Sequence, residues 1–217
     1  WQGVEIERKP ILKKIFSNSF TLQHGYDRKV KFKIYQNIKS SVEAAHGLDI
    51  YIGDLNPYNI LVNISGEVIF LDVDSYGTKS KPHNGVLLED IRDWLYNPRV
   101  DKNTDAYAFD VLTFWMFTMT HPFRGVYDPH PTLEKRVIGK SSLLSTFPIT
   151  RPKCYEPFTN QSIIDQFKQV FHDGKRFFVD LMGQPQILQV SSINSPVIID
   201  SADTYIRVLE SDIVRVS

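Results

Sequence analysis

The chain has 217 residues, with 25 Lys+Arg balanced by 25 Asp+Glu, and its apolar content suffices for the core of one large domain with an appendage. The even charge argues against nucleic-acid binding driven by net charge, and no apolar run reaches membrane-spanning length, the stretch at 111–119 being short and broken by Thr113 and Thr118. Cys154 stands alone, so no internal disulfide can form and no Cys/His spacing suggests zinc; an intracellular, cytoplasmic protein with no membrane attachment is the expectation.

Residues 1–26 read as a hinge-like lead-in segment at the start of the larger domain. The basic clusters at 8–14 and 28–33 are expected to be solvated faces. Between Asp27 and His46, Val30, Ile34, Ile38 and Val42 recur every four residues with Tyr35 and Ala45 alongside, which predicts an amphipathic helix ending at Gly47. His46-Gly47 fits a helix end better than a ligand pair.

Residues 52–74, IGDLNPYNILVNISGEVIFLDVD, carry an Asp, then an Asn five positions later, then a hairpin pattern, then a second Asp after an apolar strand. The Gly66 turn between 60–64 and 68–71 folds the two runs together, so Asn59 and Asp72 are expected to meet. Phosphoryl transfer needs one carboxylate facing the attacking hydroxyl, with an amide oxygen and another carboxylate holding metal on the phosphates. Asp54 suits the first role. Asn59 and Asp72 suit the others, because Mg²⁺ takes oxygen ligands, and Asp74 adds a carboxylate that can join them.

This stretch resembles the catalytic loop and metal-binding strand of the protein-kinase superfamily, H-R-D-L-K-P-x-N-x-L-V followed by D-F-G. The resemblance implies Asp54 as the catalytic Asp, Asn59 and Asp72 as cofactor and metal residues, and ATP with Mg²⁺ as cofactors. Ile52-Gly53 stands in place of His-Arg, Asn56 in place of Lys, and Val73-Asp74 in place of Phe-Gly. Without that Arg, regulation by loop phosphorylation is not expected. Small-molecule phosphotransferases such as the aminoglycoside and choline kinases share a G-D-L-x-P-x-N loop. A second match favours the protein-kinase branch: residues 105–123, DAYAFDVLTFWMFTMTHPF, resemble D-V-W-S-L-G-V-L-x-x-E-L-L-T-G-x-x-P-F without a gap. Thr104 is a candidate cap for this helix, Asp105 falls in its first turn, and its nearly all-apolar surface predicts a buried central position. In the family the leading Asp bonds back to the catalytic loop, the role expected of Asp105.

Residues 75–103 occupy the place of an activation segment, with no A-P-E triplet, and 124–151 read as an irregular connection. A helix is predicted over 161–171 with Ile163, Ile164, Phe167, Val170 and Phe171 on its apolar face. Arg176 follows where the family has a structural Arg and is expected to make a salt bridge. Residues 184–217 contain short β-prone runs at 187–190, 196–199, 205–209 and 213–216, which read as strands that contact a protein partner or neighbouring domain.

The expected architecture is therefore α+β: a lead-in over 1–26, a mainly helical, protein-kinase-like large lobe over 27–183 containing a catalytic-loop hairpin, and a β-rich extension over 184–217. Residues 1–26 are too few for the family's five-stranded small lobe. They hold no G-x-G-x-x-G, and Lys9, Lys13 and Lys14 lie in no V-A-I-K context, so that lobe is expected from sequence or a chain beyond this one. The leading expectation is ATP-dependent phosphoryl transfer to protein Ser/Thr, with an isolated chain of low activity. The alternative is a catalytically inactive pseudokinase or kinase-derived scaffold within a larger assembly.

Overall fold

The computed structural model describes residues 9–81, 87–96 and 100–182, together with the strands at 205–208 and 213–216. The expected β-prone runs at 187–190 and 196–199 lie outside the described residues. The fold is α+β. In chain order a 3₁₀ turn Leu12–Phe16 leads to α1 (Asn18–His24), α2 (Arg28–Gly47), β1 (Ile50–Tyr51), β2 (Ile60–Val62), β3 (Val68–Phe70), β4 (Gly77–Thr78), α3 (Lys102–Thr118), α4 (Leu133–Ile138), α5 (Gln161–Phe171), β5 (Tyr205–Val208) and β6 (Ile213–Val216). Among the described residues no helix is long and apolar enough to cross a membrane.

Helix α2 starts where Asp27 accepts hydrogen bonds from the Lys29 and Val30 N–H groups, two donors that a helix start otherwise leaves unpaired. Its four-residue apolar period puts Ile34, Ile38 and Val42 into the core. Helix α3 begins three residues before the expected point. Asp101 is its N-cap, and Thr104 closes a capping box by accepting from the Asp101 N–H at 3.0 Å. Every side chain from Thr104 to Thr118 is buried, because α2, α5 and the lead-in each pack on a different side of this helix. Phe114 shows the density of that core, with ring centroids 5.2 Å from Phe167, 5.7 Å from Phe171 and 5.9 Å from Phe158. Burying such aromatics contributes the largest apolar area per residue in the molecule.

The lead-in packs into the core: Leu12 and Ile15 are fully buried, Ile11 bridges Leu61, and the Pro10 carbonyl accepts from Val62 N–H at 3.0 Å. Two expectations are corrected. The connection over 124–151 contains α4, capped by Thr132 and too short to register as a period. The basic clusters are not simply solvated. Lys31 is 3 % exposed against Met119, with burial lowering its pKa to about 8. Lys13 lies 3.2 Å from the Trp115 ring centroid, and burial lowers its pKa to about 8 while Asp90 pulls the other way.

The sheets are small. Strands β1 and β4 pair antiparallel, and β2, β3, β5 and β6 form a four-stranded antiparallel sheet in that order. In it Val68 faces Val208 and Phe70 faces Ile206, so the described part of the C-terminal extension continues the lobe's own hairpin, where an external contact had been expected. Among the described strands, β2 and β6 stand at the two edges of this sheet.

Asp110, in the middle of α3, is fully buried. It accepts from Val179 N–H at 2.9 Å, while its second carboxylate oxygen has no partner. Burial holds its pKa well above the ordinary carboxylate range, against the opposing influence of the Val179 N–H, Arg176 and Lys39. A folded-state pKa above the unfolded one means that the stability contribution is complete below the unfolded value and is lost as pH rises beyond it. Asp110→Asn is therefore expected to gain stability over the wild type as pH rises from 5 to 8. Urea unfolding midpoints at the two pH values check this; an equal loss at both would refute the buried neutral acid.

Candidate functional site

The residues at 52–59 and 71–76 are held between the two sheets. The chain leaves β1, runs through the loop carrying Asp54, forms the β2–β3 hairpin, turns at Asp72 and returns as β4, which pairs back with β1 through Ile50 opposite Thr78 and Tyr51 opposite Gly77. Both loops are thus closed at each end by strand pairing, which fixes one against the other.

The hairpin is built by local chemistry. Asn63 accepts from Ser65 N–H at 3.1 Å and Glu67 N–H at 2.9 Å, making an Asx-type turn. Gly66 adopts φ +92°, and a Cβ there would stand 2.5 Å from the Lys33 Cβ, so this turn needs glycine both for conformation and for its approach to α2. The Gly66 carbonyl then accepts from Asn37 of α2 at 2.9 Å. Glu67 pairs with Lys9.

The loop before the hairpin is anchored by Asp105. Its buried carboxylate accepts from Ile52 N–H and Gly53 N–H, each at 2.8 Å, and lies 2.9 Å from His46 Nε2 at the end of α2. Gly53 takes φ +74°, which lets the chain bend so that consecutive N–H groups point at one carboxylate. Asp54 follows immediately. Its Oδ2 accepts from Asn56 Nδ2 at 2.6 Å and Asn59 Nδ2 at 3.2 Å, and its Oδ1 receives a longer contact from Leu88 N–H at 3.4 Å. Asn56 is 5 % exposed and also accepts from the Tyr58 and Asn59 N–H groups, so one side chain both shapes the loop and orients the Asp54 carboxylate.

Asn59 and Asp72 are brought to neighbouring positions. The Asn59 carbonyl accepts from Leu71 N–H at 2.8 Å, and Asp72 comes next, with the left-handed backbone φ 58°, ψ 42°. That conformation ends the strand and starts the 3₁₀ turn Val73–Ser75, to which the Asp72 side chain gives no cap. Asp74 lies within that turn, exposed. The acids do not gather into one cluster: among the described residues no group of three or more His, Cys, Asp or Glu side chains is placed to hold a metal. Asn59 and Asp72 offer an amide oxygen and a carboxylate, ligand types that Mg²⁺ accepts while it completes its shell with water and phosphate oxygens. Beside them the Tyr76 hydroxyl is buried without a partner. Burial, then the charges of Asp105 and Asp72, raise its pKa.

Arg176 grips Asp93 through two nitrogens, at 2.5 and 2.8 Å, and lies 4.9 Å from the Tyr107 ring centroid of α3. The segment over 87–96 is thereby fastened to the helical core. Asp90 nearby receives Arg124 at 3.3 Å, and its carbonyl lies 2.8 Å from His121 Nε2. Burial pushes the His121 pKa down to about 4.

Sequence reasoning did not find His46 as a partner of Asp105, Asp93 as the partner of Arg176, or Asn56 as a ligand of Asp54. The first two are contacts 59 and 83 residues apart, with no local signature. The third had a signal, since an Asn two positions after an Asp and before Pro is a turn-forming residue.

Asp105→Ala would leave two buried N–H groups without an acceptor, each costing about 1–3 kcal/mol. The expected outcome is a loss of about 3 kcal/mol or more, seen in urea unfolding, with Asp105→Asn intermediate because an amide oxygen still accepts. A loss below the usual surface-substitution scatter of ~0.5 kcal/mol would show that the loop stands without this anchor. Comparison of the chain with protein-family models and with curated protein sequences finds no match.

Proposed function

We propose that this chain is the large lobe of a protein-kinase-like phosphotransferase, transferring phosphate from ATP to protein Ser/Thr hydroxyls. The observation that carries this reading is the Asp105 carboxylate accepting from Ile52 and Gly53 N–H. It presents Asp54 at the mouth of a loop whose far end, Asn59, is strand-paired next to Asp72. In this reading Asp54 receives and orients the acceptor hydroxyl, and Asn59 and Asp72 hold Mg²⁺, which supplies charge neutralisation on the phosphates. Asp74, exposed one turn further, stands at the rim. Arg176 and Asp93 hold the segment that would face the acceptor.

A second reading, a kinase-derived scaffold within a larger assembly, draws support from Asn56. Where the resemblance places a Lys to steady the transferring phosphate, this chain has an amide donating to Asp54 at 2.6 Å. An amide orients a carboxylate but brings no positive charge to a phosphate. The outer strand β6 would then offer its edge to a protein partner.

The test pairs metal binding with transfer. Mn²⁺ binding in the presence of ADP, read by water-proton relaxation, is expected to weaken by about tenfold or more in Asp72→Ala and to change little in Asp54→Asn. Transfer from radiolabelled ATP to dephosphorylated casein is expected to be weak and to disappear in Asp54→Asn. Mn²⁺ binding indifferent to Asp72 would reject the metal assignment. Metal binding with no transfer above the Asp54→Asn background would favour the scaffold.

A further inference from the structure

At the opposite end of the helical core a cavity of about 650 Å³ opens between the first turns of α2, the last turn of α3 and the start of α5. That volume is in the range of small-ligand sites. Its wall is divided by chemistry. Phe117, Phe158 and Ile163 are buried in the floor, and Phe32 and Leu181 are partly buried at the sides. The exposed rim carries Arg28, Lys29 and Lys33 with the neutral Gln36, and among the described residues no acidic one lines it.

Two features make this more than a patch of surface lysines. Two aromatic rings line the floor, Phe117 and Phe158 lying 6.3 Å apart at 34°, and the Arg28 guanidinium stands 5.6 Å from the Phe117 centroid, so charge and apolar surface adjoin within one concavity. The cations all come from the first two turns of α2, and the carboxylate that caps this helix, Asp27, is not part of the cavity lining. An aliphatic or neutral occupant would leave those charges unused, and a highly charged polar one would bury the phenyl floor against charge. We propose that this cavity binds a small aromatic anion, a flat hydrophobic body carrying one carboxylate or sulfonate, with its rings on Phe117 and Phe158 and its acid group at Lys29 and Lys33. It lies about 21 Å along the α2 axis from His46, by the helical rise from Phe32, so it is separate from the Asp54 loop and does not depend on the function proposed for that loop.

The test uses the full chain and two fluorescent probes of nearly the same shape, 8-anilinonaphthalene-1-sulfonate and the uncharged N-phenyl-1-naphthylamine. The sulfonate is expected to bind saturably with one-to-one stoichiometry, at least about tenfold tighter than the neutral probe, in keeping with charge-assisted contacts. Lys29→Glu with Lys33→Glu should remove that advantage while leaving neutral-probe binding unchanged. Gln36→Trp, an exposed position on the wall, should weaken both probes by filling the groove. Lys29→Gln with Lys33→Gln gives a milder version, should the charge reversal perturb folding as read by circular dichroism. Equal affinity for the two probes, sulfonate binding indifferent to the lysine substitutions, or no saturable binding at all would each overturn the proposal.

Discussion

A single buried carboxylate organises the part of the molecule where chemistry is expected. Asp105 stands in the first turns of the central helix and gathers two loop N–H groups and a histidine from α2. Each of these donors would be costly to bury without a partner. Their shared acceptor therefore makes the end of α2, the start of α3 and the bend at Gly53 one unit. Because α3 is packed on all sides, the loop inherits the rigidity of the core, and this is what a positioning site requires.

Outward from that anchor the structure relies on strand pairing of very short segments. Two- and three-residue strands contribute little stability individually, yet β1–β4 and β2–β3 bracket the loops at both ends. The hairpin's far turn is tied to α2 through Asn37 and Gly66 and to the lead-in through Lys9 and Glu67. The lead-in therefore acts as a third layer over the hairpin. Residues 10–16 contribute a bridge to β2 and two fully buried side chains, which explains why so short a segment is ordered against the lobe.

What was legible in the sequence follows the range of the interactions. Helices α2 and α5 were read nearly to the residue, because a 3.6-residue apolar period is a local signal. The start of α3 was missed by three residues because Thr104 looks like a cap, while in the structure it is the second half of a box begun by Asp101. The six-residue helix α4 is shorter than two turns and leaves no period to detect. Lys13 and Lys31 were misjudged as solvated because charge was weighed without the partners the folded core offers an ammonium group, the Trp115 ring face and the Met119 sulfur. At the site, the β2–β3 pairing that sets the Asn59 backbone against Leu71 was readable, since a hairpin maps sequence to space directly. The partnerships of His46 and Asp93 depend on tertiary packing and had no such map.

The middle of α3 is joined to the cavity by one continuous set of contacts. Asp110, at mid-helix, accepts from Val179 N–H, whose carbonyl accepts from Tyr35 of α2 at 2.8 Å. Two residues later Leu181 forms part of the cavity wall, and the intervening Asp180 exchanges hydrogen bonds with Gln166 of α5. The segment over 179–181 is therefore pinned to all three helices that shape the cavity. The Asp110 oxygen left without a partner marks the least satisfied polar contact on that path. An occupant of the cavity can alter the Asp54 loop only by binding differently to two arrangements of these helices. Asp105 and His46 resist such rearrangement at the loop end, and the hydrogen bonds that pin 179–181 to α2, α3 and α5 resist it at the cavity end.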